Sequence, residues 1–277
     1  MQHKFAFFGT PEVASKTLRA LLDADFRPEV VITNPDAPKG RGLALTPSPV
    51  KELALSEGIP VLTPTSLDED TQKTITSYDC AYGIAVAYGK IFPEELIAAF
   101  PKGVLNVHYS LLPKYRGATP TEAALLAGDA VTGVTIQKMV KALDAGDIIS
   151  QQEISIAPEE TVRELRPRLI ELGATLLVET LPKFERDDIT PVAQDDARAT
   201  RARKLKKEDG LLDLTAPAKE NWNKYRAYAD TIGTYFFTGD GKRVKIVSAE
   251  LSGNDFKILR VVPEGKSEMA YAHFSHN

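Results

Sequence analysis

Three polar side chains in this sequence are spaced as a group that can handle a developing negative charge and a proton. Asn106 and His108 follow the apolar run Gly103-Val104-Leu105, and Asp144 lies in Leu143-Asp144-Ala145-Gly146-Asp147. If residues 104–108 form a strand, its period of two puts Asn106 and His108 on one face. Leu111-Leu112-Pro113 ends that strand, because proline has no N–H for a ladder. A carboxamide donates hydrogen bonds, an imidazole donates or accepts, and a carboxylate accepts. An isolated Asn-x-His on a strand is usually structural, but Ser110 to Pro113 beside it and the Leu-Asp-Ala-Gly-Asp stretch downstream favour a functional site. The four histidines and one cysteine are scattered without ligand spacing, so no metal is expected.

Positioning such a group calls for alternating strands and helices. Residues 5–8 are a short apolar run, and Thr10-Pro11-Glu12 reads as the cap and first turn of a helix. Residues 28–33 form a second strand. Residues 34–49 are a long turn-rich loop in which Lys39 and Arg41 alternate with Gly40 and Gly42. A helix at 48–57, strands at 59–62 and 80–86, and a helix at 93–99 return the chain to 104–108. The alternation predicts an α/β fold, a mostly parallel sheet with helices on both faces. In such sheets sites form at the carboxyl ends of the strands. No GxGxxG follows the first strand, so the nicotinamide-dinucleotide fingerprint is absent. Residues 133–139 alternate as a strand that ends near Asp144. A helix at 161–181 carries one apolar stripe, with Pro167 as a place for a kink.

Composition changes after Phe184. Residues 198–207 hold six basic side chains and no acidic one, and the stretch reads as a linker crossing the surface. A helix at 218–229 and strands at 234–238, 244–249 and 256–262 predict a small, mainly β domain. The expected division is a catalytic domain 1–183, a basic linker 184–207 and a small domain 208–277. A net charge of −4 opposes strong nonspecific nucleic-acid binding by the whole molecule but leaves room for a local basic patch. No apolar stretch approaches the ~20 residues of a membrane helix. The first residues lack a signal-peptide pattern, and the single Cys80 allows no internal disulfide, so a cytoplasmic protein is expected.

NVHYSLLPKYRGATP at 106–120 and LDAGDI at 143–148 resemble the signature of the folate-dependent formyltransferases. FFGTPE at 7–12 and VAYGKI at 86–91 resemble the same family, and the likeness spans nearly the whole chain. It implies a Rossmann-like N-terminal domain, a C-terminal OB-like barrel, and Asn106, His108 and Asp144 as catalytic residues. It implies 10-formyltetrahydrofolate as co-substrate, walled by Ser110, Leu111, Leu112 and Pro113 with Val86, Tyr88 and Gly89. PDAPKGRGLALTPSPVK at 35–51 resembles the loop with which one branch of the family meets the acceptor end of initiator methionyl-tRNA. On that likeness Lys39 and Arg41 are tRNA-binding, and in the basic run Arg201, Arg203 and Lys204 are tRNA contacts. The implied reaction moves a formyl group to the α-amine of methionyl-tRNA through a tetrahedral intermediate. Asn106 and a ring N–H of His108 would donate to the oxyanion. Asp144 would accept the amine's proton, directly or through water, or hold His108 charged. A monomer without a membrane partner is expected.

The chain departs from the family pattern in places. Its C-terminal domain is short, with one or two barrel strands missing between Ser248 and Phe256. Asp230-Thr231-Ile232-Gly233 replaces a proline-rich turn, and Tyr109 stands where small residues are common. Two other reactions fit the same trio: formyl transfer to a small amine, such as an amino sugar or nucleotide, and hydrolysis of the formyl donor. A non-catalytic RNA-binding module would have no use for the trio.

Overall fold

β1 (Phe5–Gly9) is buried along its whole length, as a strand covered on both faces must be. The computed structural model describes residues 3–39 and 43–274. After β1 come α1 (Glu12–Asp23), β2 (Val30–Ile32), β3 (Ala37–Lys39), β4 (Ala44–Thr46), α2 (Pro49–Ser56) and β5 (Val61–Leu62). Next are α3 (Glu69–Thr76), β6 (Tyr82–Val86), α4 (Glu94–Ala98), β7 (Val104–His108), β8 (Arg116–Gly117) and α5 (Pro120–Ala127). β9 (Val131–Lys138), β10 (Ile148–Ser155), α6 (Val162–Glu185) and β11 (Arg201–Ala202) follow. The chain continues through α7 (Ala218–Tyr228), β12 (Thr234–Phe237), β13 (Arg243–Ser252), β14 (Asp255–Pro263), β15 (Met269–Ala270) and α8 (Tyr271–Phe274).

The described residues fall into two compact units. One takes Met1–Arg116, Gly133–Gln152 and Leu169–Ala199, and the other Gly117–Thr132, Glu153–Arg168 and Thr200–Asn277. A seven-stranded sheet runs in the order β10-β9-β7-β6-β1-β2-β5. The five strands from β7 to β5 are parallel, and β9 lies antiparallel to β7. In β1, Phe8 meets Phe92 and Phe100 edge-on and clusters with Ile75 of α3 and Leu96 of α4 on one face. Phe5, of opposite parity, stacks on Tyr82, whose edge meets Phe184 of α6 across the other. Helices therefore cover both faces, as expected.

The second unit holds the four-stranded antiparallel sheet β12-β13-β14-β15 over a small core of Leu212, Phe236, Val244, Ile246 and Val261. Where barrel strands were expected to be missing, β13 passes to β14 through the tight turn Gly253-Asn254, with Ser252 opposite Asp255. In the same unit Arg226 is buried and donates to the carbonyls of Ala157, Pro158 and Glu160. Among the described residues no helix is long and apolar enough to cross a membrane.

Three local readings are corrected. The cap of α1 is Pro11, not Thr10, and it makes no side-chain cap bond. The Thr10 hydroxyl instead accepts the Asn34 N–H, which ties β1 to the exit of β2. The loop at 34–49 is not without structure: β3 and β4 pair antiparallel, with Ala37 opposite Thr46. Its base is held by a Lys51–Asp36 ion pair at 2.7 Å and by Ser48, which caps α2 and shares a hydrogen bond with Thr33. Finally, α6 runs unbroken through Pro167 and extends to Glu185, past its expected end.

Candidate active site

β7 places Asn106 and His108 on the face where Val104 joins the aromatic cluster of Phe8, Tyr88, Phe92 and Phe100. His108 is 5% exposed. Its Nε2 lies 3.0 Å from the Tyr115 carbonyl oxygen, which can only accept, so Nε2 carries the hydrogen. Its Nδ1 lies 3.6 Å from Asp144 Oδ2. Burial pushes the His108 pKa below its ordinary value, outweighing the upward pull of Asp144 and of the Tyr115 carbonyl. Burial thus favours the neutral form of the ring. In the neutral ring Nδ1 is a lone pair facing Asp144, and the single N–H is already committed to Tyr115.

Asp144 arrives by a route that a parallel sheet would not use. β9 is antiparallel to β7, so its last residue, Lys138, pairs with Leu105 near the start of β7. The expectation that all three groups sit at the carboxyl ends of parallel strands is thus corrected for Asp144. The chain after β9 turns back tightly: a Cβ on Gly146 would lie 1.6 Å from the Lys138 carbonyl oxygen, so only glycine fits there. Asp144 itself has φ +50°, a conformation that non-glycine residues adopt at a cost. Its Oδ1 accepts from Gln137 Nε2 at 2.8 Å and, at 3.5 Å, from Asn106 Nδ2. Oδ1 thus faces two amides and Oδ2 faces the imidazole.

Gln137 is a site residue that the sequence patterns did not single out. It is 1% exposed, lies opposite Asn106 in the ladder, and its Oε1 is buried without a hydrogen-bond partner. The available signal was a polar residue alternating with Val134 and Ile136, on the same face of β9 as Thr135. Thr135 was missed as well. Its hydroxyl donates to the Ser110 carbonyl at 2.7 Å and accepts the Leu112 N–H at 3.1 Å and Gln151 Nε2 at 2.7 Å.

The expected folate wall is therefore largely bonded within the protein. Ser110 is fully buried and its hydroxyl donates to the Lys114 carbonyl, while the Leu112 carbonyl accepts from Gln151. Leu112 is buried and joined to Pro113 by a cis peptide; Leu111 is half-buried. Val86 ends β6 and is buried. Tyr88 packs into the aromatic cluster, and burial pushes its hydroxyl pKa up to about 12. Gly89 has φ +81° with nothing within 4 Å of an added Cβ, so the backbone there borders open space.

For the tRNA-assigned residues, Lys39 lies in β3 and Arg41 falls outside the described residues. In the second unit Arg201 and Lys204 are exposed, whereas Arg203 makes a two-pronged ion pair with Asp209. The basic run is thus partly opposed by a carboxylate two residues beyond it. Among the described residues no cluster of His, Cys, Asp or Glu could hold a metal ion.

Residues 3–181 match the family model described as formyl transferase, and residues 204–266 match its C-terminal domain. A methionyl-tRNA formyltransferase of Coxiella burnetii (strain RSA 331 / Henzerling II) is 42% identical over 98% of this chain and 87% of its own. One from Koribacter versatilis (strain Ellin345) is 42% identical over 91% of this chain and 83% of its own. Among solved structures, an N-formyltransferase from Helicobacter canadensis in complex with folinic acid and dTDP-3-aminofucose has a TM-score of 0.69 at 18% identity, covering 98% of this chain and 99% of that one. A glycinamide ribonucleotide transformylase from Symbiobacterium toebii has a TM-score of 0.60 at 22% identity, covering 70% and 95%.

Proposed function

We propose that this chain, which belongs to the formyl transferase family, transfers a formyl group from 10-formyltetrahydrofolate to the α-amine of methionyl-tRNA. The observation that carries the reading is the convergence of Asn106, His108 and Asp144, in a chain 42% identical over almost its whole length to relatives that bear that name.

The chemistry follows from the atoms. Attack of a neutral amine on the formyl carbon creates an oxyanion and leaves a proton to be removed. Asn106 Nδ2 has two hydrogens, and one long contact to Asp144 uses at most one of them. The other is the oxyanion donor in this reading. His108 takes a different part from the expected donor role, because its N–H is spent on Tyr115. The facing Nδ1 lone pair and Asp144 Oδ2 form a receptor for one proton. When the proton arrives, the 3.6 Å contact becomes a charge-assisted hydrogen bond with Nε2–H still satisfied.

In this reading the donor lies along the backbone at Gly89, where there is open space, with Val86, Tyr88 and Ser110 to Pro113 as its wall. The buried, unpartnered Gln137 Oε1 is an acceptor suited to an N–H of a bound substrate. Lys39, Arg41, Arg201, Arg203 and Lys204 are read as contacts to the RNA backbone. In the same reading residues 1–183 supply the chemistry, 184–207 the linker and 208–277 the small domain. Incubation with 10-formyltetrahydrofolate and charged initiator tRNA, beside a panel of amino sugars and aminonucleotides, tests the acceptor. Formate released without an acceptor would identify donor hydrolysis instead.

A further inference from the structure

The stretch expected to be a linker crossing the surface reaches back to the loop that carries Asp144. Val192 and Ile148 form an antiparallel bridge with both N–H groups bonded, at 2.8 and 2.9 Å. Two residues on, Gln194 turns its amide toward residues 144–146. Its Nε2 donates to the Asp144 carbonyl at 2.9 Å and to the Gly146 carbonyl at 2.6 Å, which uses both hydrogens of one NH₂ group. Its Oε1 accepts from Arg116 Nε at 2.9 Å. A guanidinium can only donate, so Arg116 fixes which end of the amide faces the loop. Arg116 is itself paired with Asp196 at 2.7 Å and its side chain is 14% exposed.

Arg116 directly follows Tyr115, whose carbonyl holds His108, and Tyr115 has φ +61°. One dipeptide therefore anchors the imidazole through its carbonyl and, through Gln194, the backbone that carries Asp144. Both Tyr115 and Asp144 have left-handed backbones that need support from their surroundings. Without Gln194 the Asp144 and Gly146 carbonyls lose a shared donor, and the loop is free to relax out of that conformation. A shift of one ångström between catalytic groups costs on the order of 10²-fold in rate.

We infer that Gln194 is a positioning residue, oriented by Arg116, that fixes the Asp144 carboxylate against His108. The inference rests on the proposed function for its rate effects, but not for its structural effects. Gln194→Leu removes both donors. Gln194→Glu keeps the side chain's size and its contact to Arg116 but presents no N–H to the carbonyls. Both variants should lower kcat for methionyl-tRNA formylation up to about 10²-fold while leaving both KM values within about twofold. The nitrogen NMR signals of the His108 imidazole should shift in both, since the carboxylate facing Nδ1 has moved. If Gln194→Leu fails to fold, Gln194→Glu carries the test. Wild-type kcat in either folded variant, or a rise in KM with kcat intact, would overturn the inference. If the wild-type protein does not formylate methionyl-tRNA, the proposed function fails and the imidazole signals decide: a shift supports the positioning role, and unchanged signals reject it.

Discussion

At the scale of single residues, His108 is governed by burial more than by charge. Its ring binds a proton less readily in the folded protein than in the unfolded chain, where the reference value is 6.5. As pH falls through that value the unfolded chain takes up the proton first, so this group withdraws stability as the solution becomes more acid. Wild type should therefore lose more stability between about pH 7 and pH 5 than His108→Gln, read from denaturant midpoints at each pH. Equal slopes would show that the ring is not held neutral. Asn106 has a different signature. Removing an oxyanion donor leaves the fold alone and the transition state unsupported, so Asn106→Ala should cut kcat by about 10²–10³ with an unchanged melting temperature. The likeness of 106–120 and 143–148 to a known signature, with the period of two, made these residues legible in the sequence itself. Gln137 and Gln194 were not, because an amide in a strand or a polar tail carries no local mark of what it will touch.

At the scale of elements, most of the sheet was legible because strand and helix periods alternate cleanly up to β7. β9 was legible as a strand at 133–139 but not in its direction, on which alternation is silent. Its antiparallel course changes how Asp144 reaches the site. The polar stretch after α6 misled for a related reason: absence of periodicity looks like a tether, yet the partners of its hydrogen bonds lie far away in sequence. The turn after β11 shows the same thing. Asp209 accepts from Arg203 and from the Lys206 N–H, and that ion pair holds its carboxyl well below the usual range, at about 2. Its contribution is present above the unfolded carboxylate value and is lost as pH falls toward about 2. Arg203 is 64% exposed, so solvent screens the pair and Asp209→Asn should cost no more than about 1 kcal/mol at neutral pH. The same variant should decline less than wild type over that acid range, because only the Asp209 contribution has been removed. A cost several times larger would mean that the carboxylate supports more than this turn.

At the scale of the whole molecule, a net charge of −4 hides an uneven distribution. Residues 198–207 carry six cations, and with Arg203 engaged by Asp209 the exposed Arg201 and Lys204 are the better candidates for phosphate contacts. Each phosphate neutralised contributes roughly 0.7–0.9 log units of affinity per log unit of salt. The double variant Arg201→Gln/Lys204→Gln should flatten the salt slope of tRNA binding by about 1.5 and leave turnover of a small amine surrogate unchanged. An identical slope would make the stretch a solvated connection and move recognition to the 35–51 loop. The short C-terminal unit was legible as a composition change and three strand patterns, but its tight Ser252–Asp255 turn appears only in the register.

The measurement that bears most directly on the central claim is formylation of charged initiator tRNA by the purified protein with 10-formyltetrahydrofolate, run beside His108→Ala and Asp144→Ala. Formyl-methionyl-tRNA should form with the wild-type protein, and each variant should lower kcat by at least about 10²-fold while remaining folded. A formylated amino sugar or free formate in place of formylated tRNA, or full activity in either variant, would contradict the proposed function.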